Sequence, residues 1–148
     1  MVATRLGRSL LEFGGNNAMI VAPTADLDLA VRAILFSAVG TAGQRCTSLR
    51  RLIVHQDIHE ELMPRLARAY RSVAIGNPLE DGVLVRPLVD RRSYDAMGDA
   101  LNRTAKDGGI VTGGGRALAE RYPQAWYVQP ALVDMPGRPT SWPRKPSC

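Results

Sequence analysis

Apolar residues fall along the chain in blocks whose period changes from element to element. The run "NAMIVA" at 17–22, closed by Pro23 and Thr24, reads as a strand. From Leu27 the apolar positions are Leu27, Ala30, Val31, Ile34, Leu35, Ala38 and Val39, one face of a helix. Thr24 or Asp26 can cap its start, and Gly40 or Gly43 can end it. "LIVH" at 52–55 is a second apolar, β-branched run. After it, Asp57 and Glu60 form a capping-box pair, and Ile58, Leu62, Leu66, Ala69 and Val73 predict a helix with a kink at Pro64. A loop at 76–82 leads to a third helical pattern through Tyr94, Met97, Leu101 and Ala105, stopped by Gly108 and Gly109. "IVTGG" and "WYVQPALV" then read as strands. Strands alternating with helices predict an α/β fold, a largely parallel sheet flanked by helices.

Composition narrows the class. The chain has 148 residues, 45% hydrophobic and 22% charged, which suits one globular domain with a core of its own. No run reaches the ~18–20 apolar residues of a membrane span, and "MVATRLGRSLLEFGG" lacks the form of a signal peptide. Two cysteines cannot make a disulfide framework, so a reducing, cytoplasmic setting is expected. The formal charge of +5 is weighted toward residues 138–148, which carry Arg138, Arg144 and Lys145 and no acid. The rest is close to neutral and its arginines are not interleaved with exposed aromatics, so nucleic acid is not an expected partner. "RPTSWPRKPSC" at 138–148 has no apolar period and is expected to be a disordered tail.

Four features invite chemistry. Cys46, in "GTAGQRCTSL" just past the first helix, is either a nucleophile or a small buried residue. Glu12, in "LLEFGGNN", is either a carboxylate desolvated enough to act as a general base near neutral pH or a paired structural glutamate. "TGGGR" at 112–116 lacks the spacing of a phosphate loop and reads as a strand ending in a turn. His55 and His59 lack the carboxylate pattern of a metal site, so no metal is expected.

Taken together, residues 10–55 closely resemble the catalytic-domain core of NAD(P)-dependent aldehyde dehydrogenases, with that family's L-E-L-G-G and G-Q-x-C-T motifs. The interval from Glu12 to Cys46 is also the family's. "GTAGQRCT" followed by "RRL" looks most like the antiquitin branch, the α-aminoadipic semialdehyde (piperideine-6-carboxylate) dehydrogenases. The likeness continues through "IGNPLEDGVLVRPLVD", where Arg86 replaces a usual glycine, to "YVQPALVDMP".

The resemblance implies the catalytic domain of the aldehyde dehydrogenase fold over 1–137. It implies Cys46 as nucleophile, Glu12 as general base, and Phe13 and Gly14 beside the nicotinamide of NAD or NADP, with a small-molecule aldehyde as substrate. Leucine is commoner at the place of Phe13. The family sets a nucleotide-binding domain ahead of the glutamate motif, where only residues 1–11 stand here, so most of the cofactor site is expected to be absent. The tail at 138–148 is expected to be out-of-frame translation, because a shifted frame of suitable codons resembles the family's continuation. Alternatives are a non-catalytic truncated product, half of a split enzyme that associates with a complementary polypeptide or another copy, or an esterase-like thiol module.

Overall fold

A computed structural model describes residues 3–5 and 7–136. The tail expectation at 138–148 lies outside the described residues.

Strand β1 (Asn17–Val21) and strand β2 (Leu49–Val54) pair in parallel, joined by helix α1 (Leu27–Val39). This βαβ unit is the centre of the fold. Asp26 is the cap of α1: its carboxylate accepts the N–H groups of Asp28 and Leu29, both at 3.0 Å. Gly40 ends the helix as expected. Helix α2 (Gln56–Arg71) returns along the sheet and buries Ile58, Leu62, Leu66 and Tyr70. Ile58, Leu62 and Leu66 join Val21 and Ile34 in the main core, and Leu62 and Leu66 are wholly buried.

One local expectation changes. The cap of α2 is His55 rather than the Asp57–Glu60 pair; its Nδ1 accepts the Asp57 N–H at 3.3 Å. The helix also continues through Pro64 as one element. The proline removes one backbone hydrogen bond inside it.

A second, smaller core of Val39, Tyr70 and Val85 seats the 75–88 linker, where Ile75 bridges to Val85. Helix α3 (Arg91–Lys106), capped by Asp90 through the Ser93 N–H at 2.7 Å, lays a half-buried stripe of Tyr94, Met97 and Leu101 on the rest. Strand β3 (Ile110–Thr112) pairs antiparallel with β4 (Leu132–Asp134). The α/β fold class therefore stands, with a parallel strand ladder only between β1 and β2 among the described residues and one isolated parallel bridge, Ile75 to Val85. The expected strand at 126–133 is broken: Trp126 and Val128 make isolated bridges, and ladder pairing resumes only at Leu132. Pro130 has no N–H to give the ladder. In "TGGGR" the strand ends at Thr112 as expected, but no turn follows: Gly113 and Gly114 take positive φ (81° and 82°), and the segment runs on beside 127–131, where the Gly114 N–H donates to the Gln129 carbonyl at 3.2 Å and Arg116 bridges to Val128.

Candidate active site

Between α1 and β2 the chain passes through three successive residues with left-handed backbone, Thr41 (φ 57°), Ala42 (φ 53°) and Gly43 (φ 68°). A β-branched residue rarely adopts this conformation, and each non-glycine costs on the order of 1–3 kcal/mol. The surroundings over-determine it. Arg50 donates to the Gly43 carbonyl at 2.8 Å, and Arg45 crosses beneath Gly40 to donate to the Phe36 carbonyl at 3.3 Å, its guanidinium 5.4 Å from the Phe36 ring centre. The Gln44 side chain donates to the Thr41 and Pro87 carbonyls, both at 3.3 Å, and accepts the Val89 N–H at 2.8 Å.

This strained corner delivers Cys46 to the tip of a tight turn. Ser48 N–H donates to the Arg45 carbonyl at 3.1 Å, so Cys46 and Thr47 are the two central residues of a β-turn. Ser48, 1% exposed, closes the turn again by accepting the Arg45 N–H on Oγ at 3.1 Å. Central residues of such a turn do not spend their N–H groups in closing it. Accordingly, no acceptor among the described residues takes the Cys46 N–H. Cys46 is a free, exposed thiol. The buried-residue alternative is therefore excluded, and the exposed thiol stands beside an unspent amide donor.

The glutamate motif reaches the same turn through its backbone. Gly15 lies so close that a Cβ there would stand 2.9 Å from the Cys46 carbonyl oxygen and 2.7 Å from Asn17 Oδ1. Asn17, the first residue of β1, donates its Nδ2 to the Cys46 carbonyl at 2.8 Å and to the Ser48 carbonyl at 3.1 Å. The β1–β2 register shifts between Asn17 and Ala18, a bulge beside this junction. The other motif residues lie on an irregular arm. Glu12, Phe13 and Gly14 are exposed, and Glu12 has no hydrogen-bond or ion-pair partner among the described residues. Glu12 is therefore not a paired structural glutamate in this arrangement. A Cβ on Gly14 would meet nothing within 4 Å and Phe13 is 61% exposed, so a planar ring has access to the backbone there.

Sequence reasoning missed Asn17, Gln44 and Ser48 as members of the site. Their only signal is position: a polar residue opening an apolar strand, and two polar residues flanking the cysteine. His59 is tied to Asp134 at 3.0 Å, a pairing its sequence surroundings do not signal. Among the described residues no group of His, Cys, Asp or Glu side chains could hold a metal ion, and no helix is long and apolar enough to cross a membrane. A cleft of about 380 Å³ runs along α3 past Tyr94, Met97 and Gly114, away from Cys46.

The aldehyde dehydrogenase family model matches residues 1–139. The α-aminoadipic semialdehyde dehydrogenase of Bos taurus is 46% identical over 133 residues, 90% of this chain and 24% of its own length. The aldehyde dehydrogenase family 7 member A1 of Pisum sativum is 42% identical over 134 residues, 90% of this chain and 26% of its own. Among solved structures, lactaldehyde dehydrogenase from Escherichia coli superposes with a TM-score of 0.79 at 30% identity, covering 88% of this chain and 27% of that one. The NAD+ complex of an aldehyde dehydrogenase from Bacillus cereus gives 0.79 at 26% identity, over 89% and 26%. The chain thus spans about a quarter of the length of the relatives it matches. With sequence likeness and fold likeness carried by the same residues, the chain belongs to the aldehyde dehydrogenase family, a family of oxidoreductases.

Proposed function

We propose that this chain is the catalytic core segment of an NAD(P)-dependent aldehyde dehydrogenase that oxidises an aldehyde to a carboxylate through Cys46. The observation that carries the reading is the Cys46 turn: an exposed thiol with an unspent N–H, held by tied neighbours and touching the glutamate motif. The likeness to the cattle enzyme supports α-aminoadipic semialdehyde as the substrate.

In this reading the Cys46 thiolate adds to the aldehyde carbon, and the carbonyl oxygen becomes an oxyanion that accepts the Cys46 N–H. Phe13 and Gly14 would lie beside the nicotinamide, which when bound would supply the hydride acceptor for the carbon. The product on the protein is a thioester at Cys46. Glu12 takes a proton from water, the hydroxide adds to the thioester carbon, and the Cys46 thiolate leaves as the carboxylic acid forms. Exposure lets the Glu12 arm exchange protons with solvent between cycles. A reducing, cytoplasmic setting suits a mechanism that needs a free thiol.

The half-reaction at Cys46 can be tested with p-nitrophenyl acetate, which needs no hydride acceptor. Acetyl should appear on the tryptic peptide 46–50, and Cys46→Ser should abolish it. Glu12→Gln should leave acylation in place and slow deacylation by about 10²–10⁴. A folded chain that is never acylated at Cys46 would sink the reading.

A second reading, association with another polypeptide or a second copy, has its own observation. Ile20 and Ile53 face each other across β1 and β2 and are 75% and 51% exposed, an apolar sheet face open to a partner. Sedimentation of the purified chain tests it; a monomer at all concentrations would remove it.

A further inference from the structure

The Cys46 N–H belongs to the Arg45–Cys46 peptide, and its direction is fixed only if the planar peptides on both sides of Cys46 are fixed. The turn pins one of them, because the Arg45 carbonyl accepts the Ser48 N–H at 3.1 Å. The Cys46–Thr47 peptide has no such bond within the turn. Its carbonyl is held from outside, by Asn17 Nδ2 at 2.8 Å, and the same nitrogen reaches the Ser48 carbonyl at 3.1 Å. Both hydrogens of one amide are spent on two of the carbonyls that the turn leaves over, those of Cys46 and Ser48. Gly15 leaves room for that amide, since a Cβ there would stand 2.7 Å from Asn17 Oδ1.

We propose that Asn17 is a positioning residue for the reaction at Cys46: it orients the Cys46 N–H, the donor to the oxyanion, without touching substrate itself. The inference rests on Cys46 being the nucleophile. An apolar residue in its place would leave the Cys46 and Ser48 carbonyls without this donor. An aspartate there would have the same shape and would turn acceptors toward acceptors.

Two reactions at the same sulfur separate this role from general support of the fold. Acylation by p-nitrophenyl acetate passes through an oxyanion. Alkylation by iodoacetamide is a displacement at carbon and makes none. Both adducts are counted on peptide 46–50, which keeps Cys148 out of the measurement. Asn17→Asp should lower the acylation rate constant about tenfold or more while alkylation stays within about twofold. Gly15→Ala, which crowds the amide and leaves Asn17 in place, should shift the same ratio in the same direction.

Thermal melting establishes that each variant is folded. Where Asn17→Asp is not, Asn17→Ser shortens the reach without adding charge and takes its place. An unchanged ratio, or equal losses in both reactions, overturns the role of Asn17 and leaves the Cys46 reading standing. A folded wild-type chain that is alkylated but never acylated overturns that reading and the role of Asn17 with it.

Discussion

Gln44 and Val89, 45 residues apart, are joined by a 2.8 Å hydrogen bond in which the glutamine Oε1 accepts the valine N–H. The same side chain donates to the Pro87 carbonyl at 3.3 Å. The residue two before the cysteine therefore fastens the linker that leads into α3, and it also holds the Thr41 carbonyl in the left-handed corner. One side chain couples the cysteine loop to a segment that has no chemistry of its own.

Gln44→Ala should release that linker. Losing the bonds should cost about 1 kcal/mol by urea unfolding, and amide exchange at Val89 should speed up while exchange in α2 does not. Unchanged protection at Val89 would show that the linker is held by other means.

Ser48→Ala removes the acceptor of the Arg45 N–H and leaves a half-buried donor without its partner. The expected loss is about 1–3 kcal/mol in chemical denaturation. Ser48→Thr keeps the hydroxyl but adds a methyl at a fully packed position, and should also destabilise. A neutral Ser48→Ala would mean that the Arg45–Ser48 main-chain bond alone closes the turn.

The pairing of His59 with Asp134 links α2 to β4 and should give a small pH dependence. The hydrogen bond that the protonated His59 donates to Asp134 is the main cause that lifts the His59 pKa above its ordinary 6.5, against a smaller desolvation effect in the other direction. A raised folded pKa means that the folded state binds the proton more tightly. Its stabilisation is fully present below pH 6.5 and is lost as pH rises through the folded value. Both side chains are about one-third exposed (33% and 32%), so solvent holds the effect below about 1 kcal/mol. Melting temperatures between pH about 5.5 and 8.5 should fall more steeply for the wild type than for Asp134→Asn. Parallel curves would remove the pair from the pH response.

What the letters revealed follows from the range of the interactions. The βαβ unit was legible because Asp26, the Leu27–Val39 period and Gly40 act within a few residues of one another. The resemblance supplied the roles proposed for Cys46 and Glu12, and the structure added that Cys46 is exposed. Asn17 was unreadable because its partner lies 29 residues on, and His59 because Asp134 lies 75 away. The left-handed corner was hidden as well. Thr41 and Ala42 are residue types that avoid that backbone, and only Gly43 hinted at it. The late strands were over-read, since an apolar run such as "WYVQPALV" does not reveal that Pro130 interrupts its ladder.

Leu62, wholly buried beneath the βαβ unit, sets the scale against which the site variants are judged. Leu62→Ala should cost about 2–5 kcal/mol by urea unfolding. A smaller loss would mean that the core closes over the cavity.

The group that holds the Cys46 carbonyl is a carboxamide, and asparagine is among the thermolabile residue types. Hydrolysis of Asn17 during warm storage yields aspartate, with the same outline and neither donor. A preparation would then divide into two folded populations that differ by one negative charge, one acylating slowly. Acylation at the thiol would then be lost from molecules that are still folded.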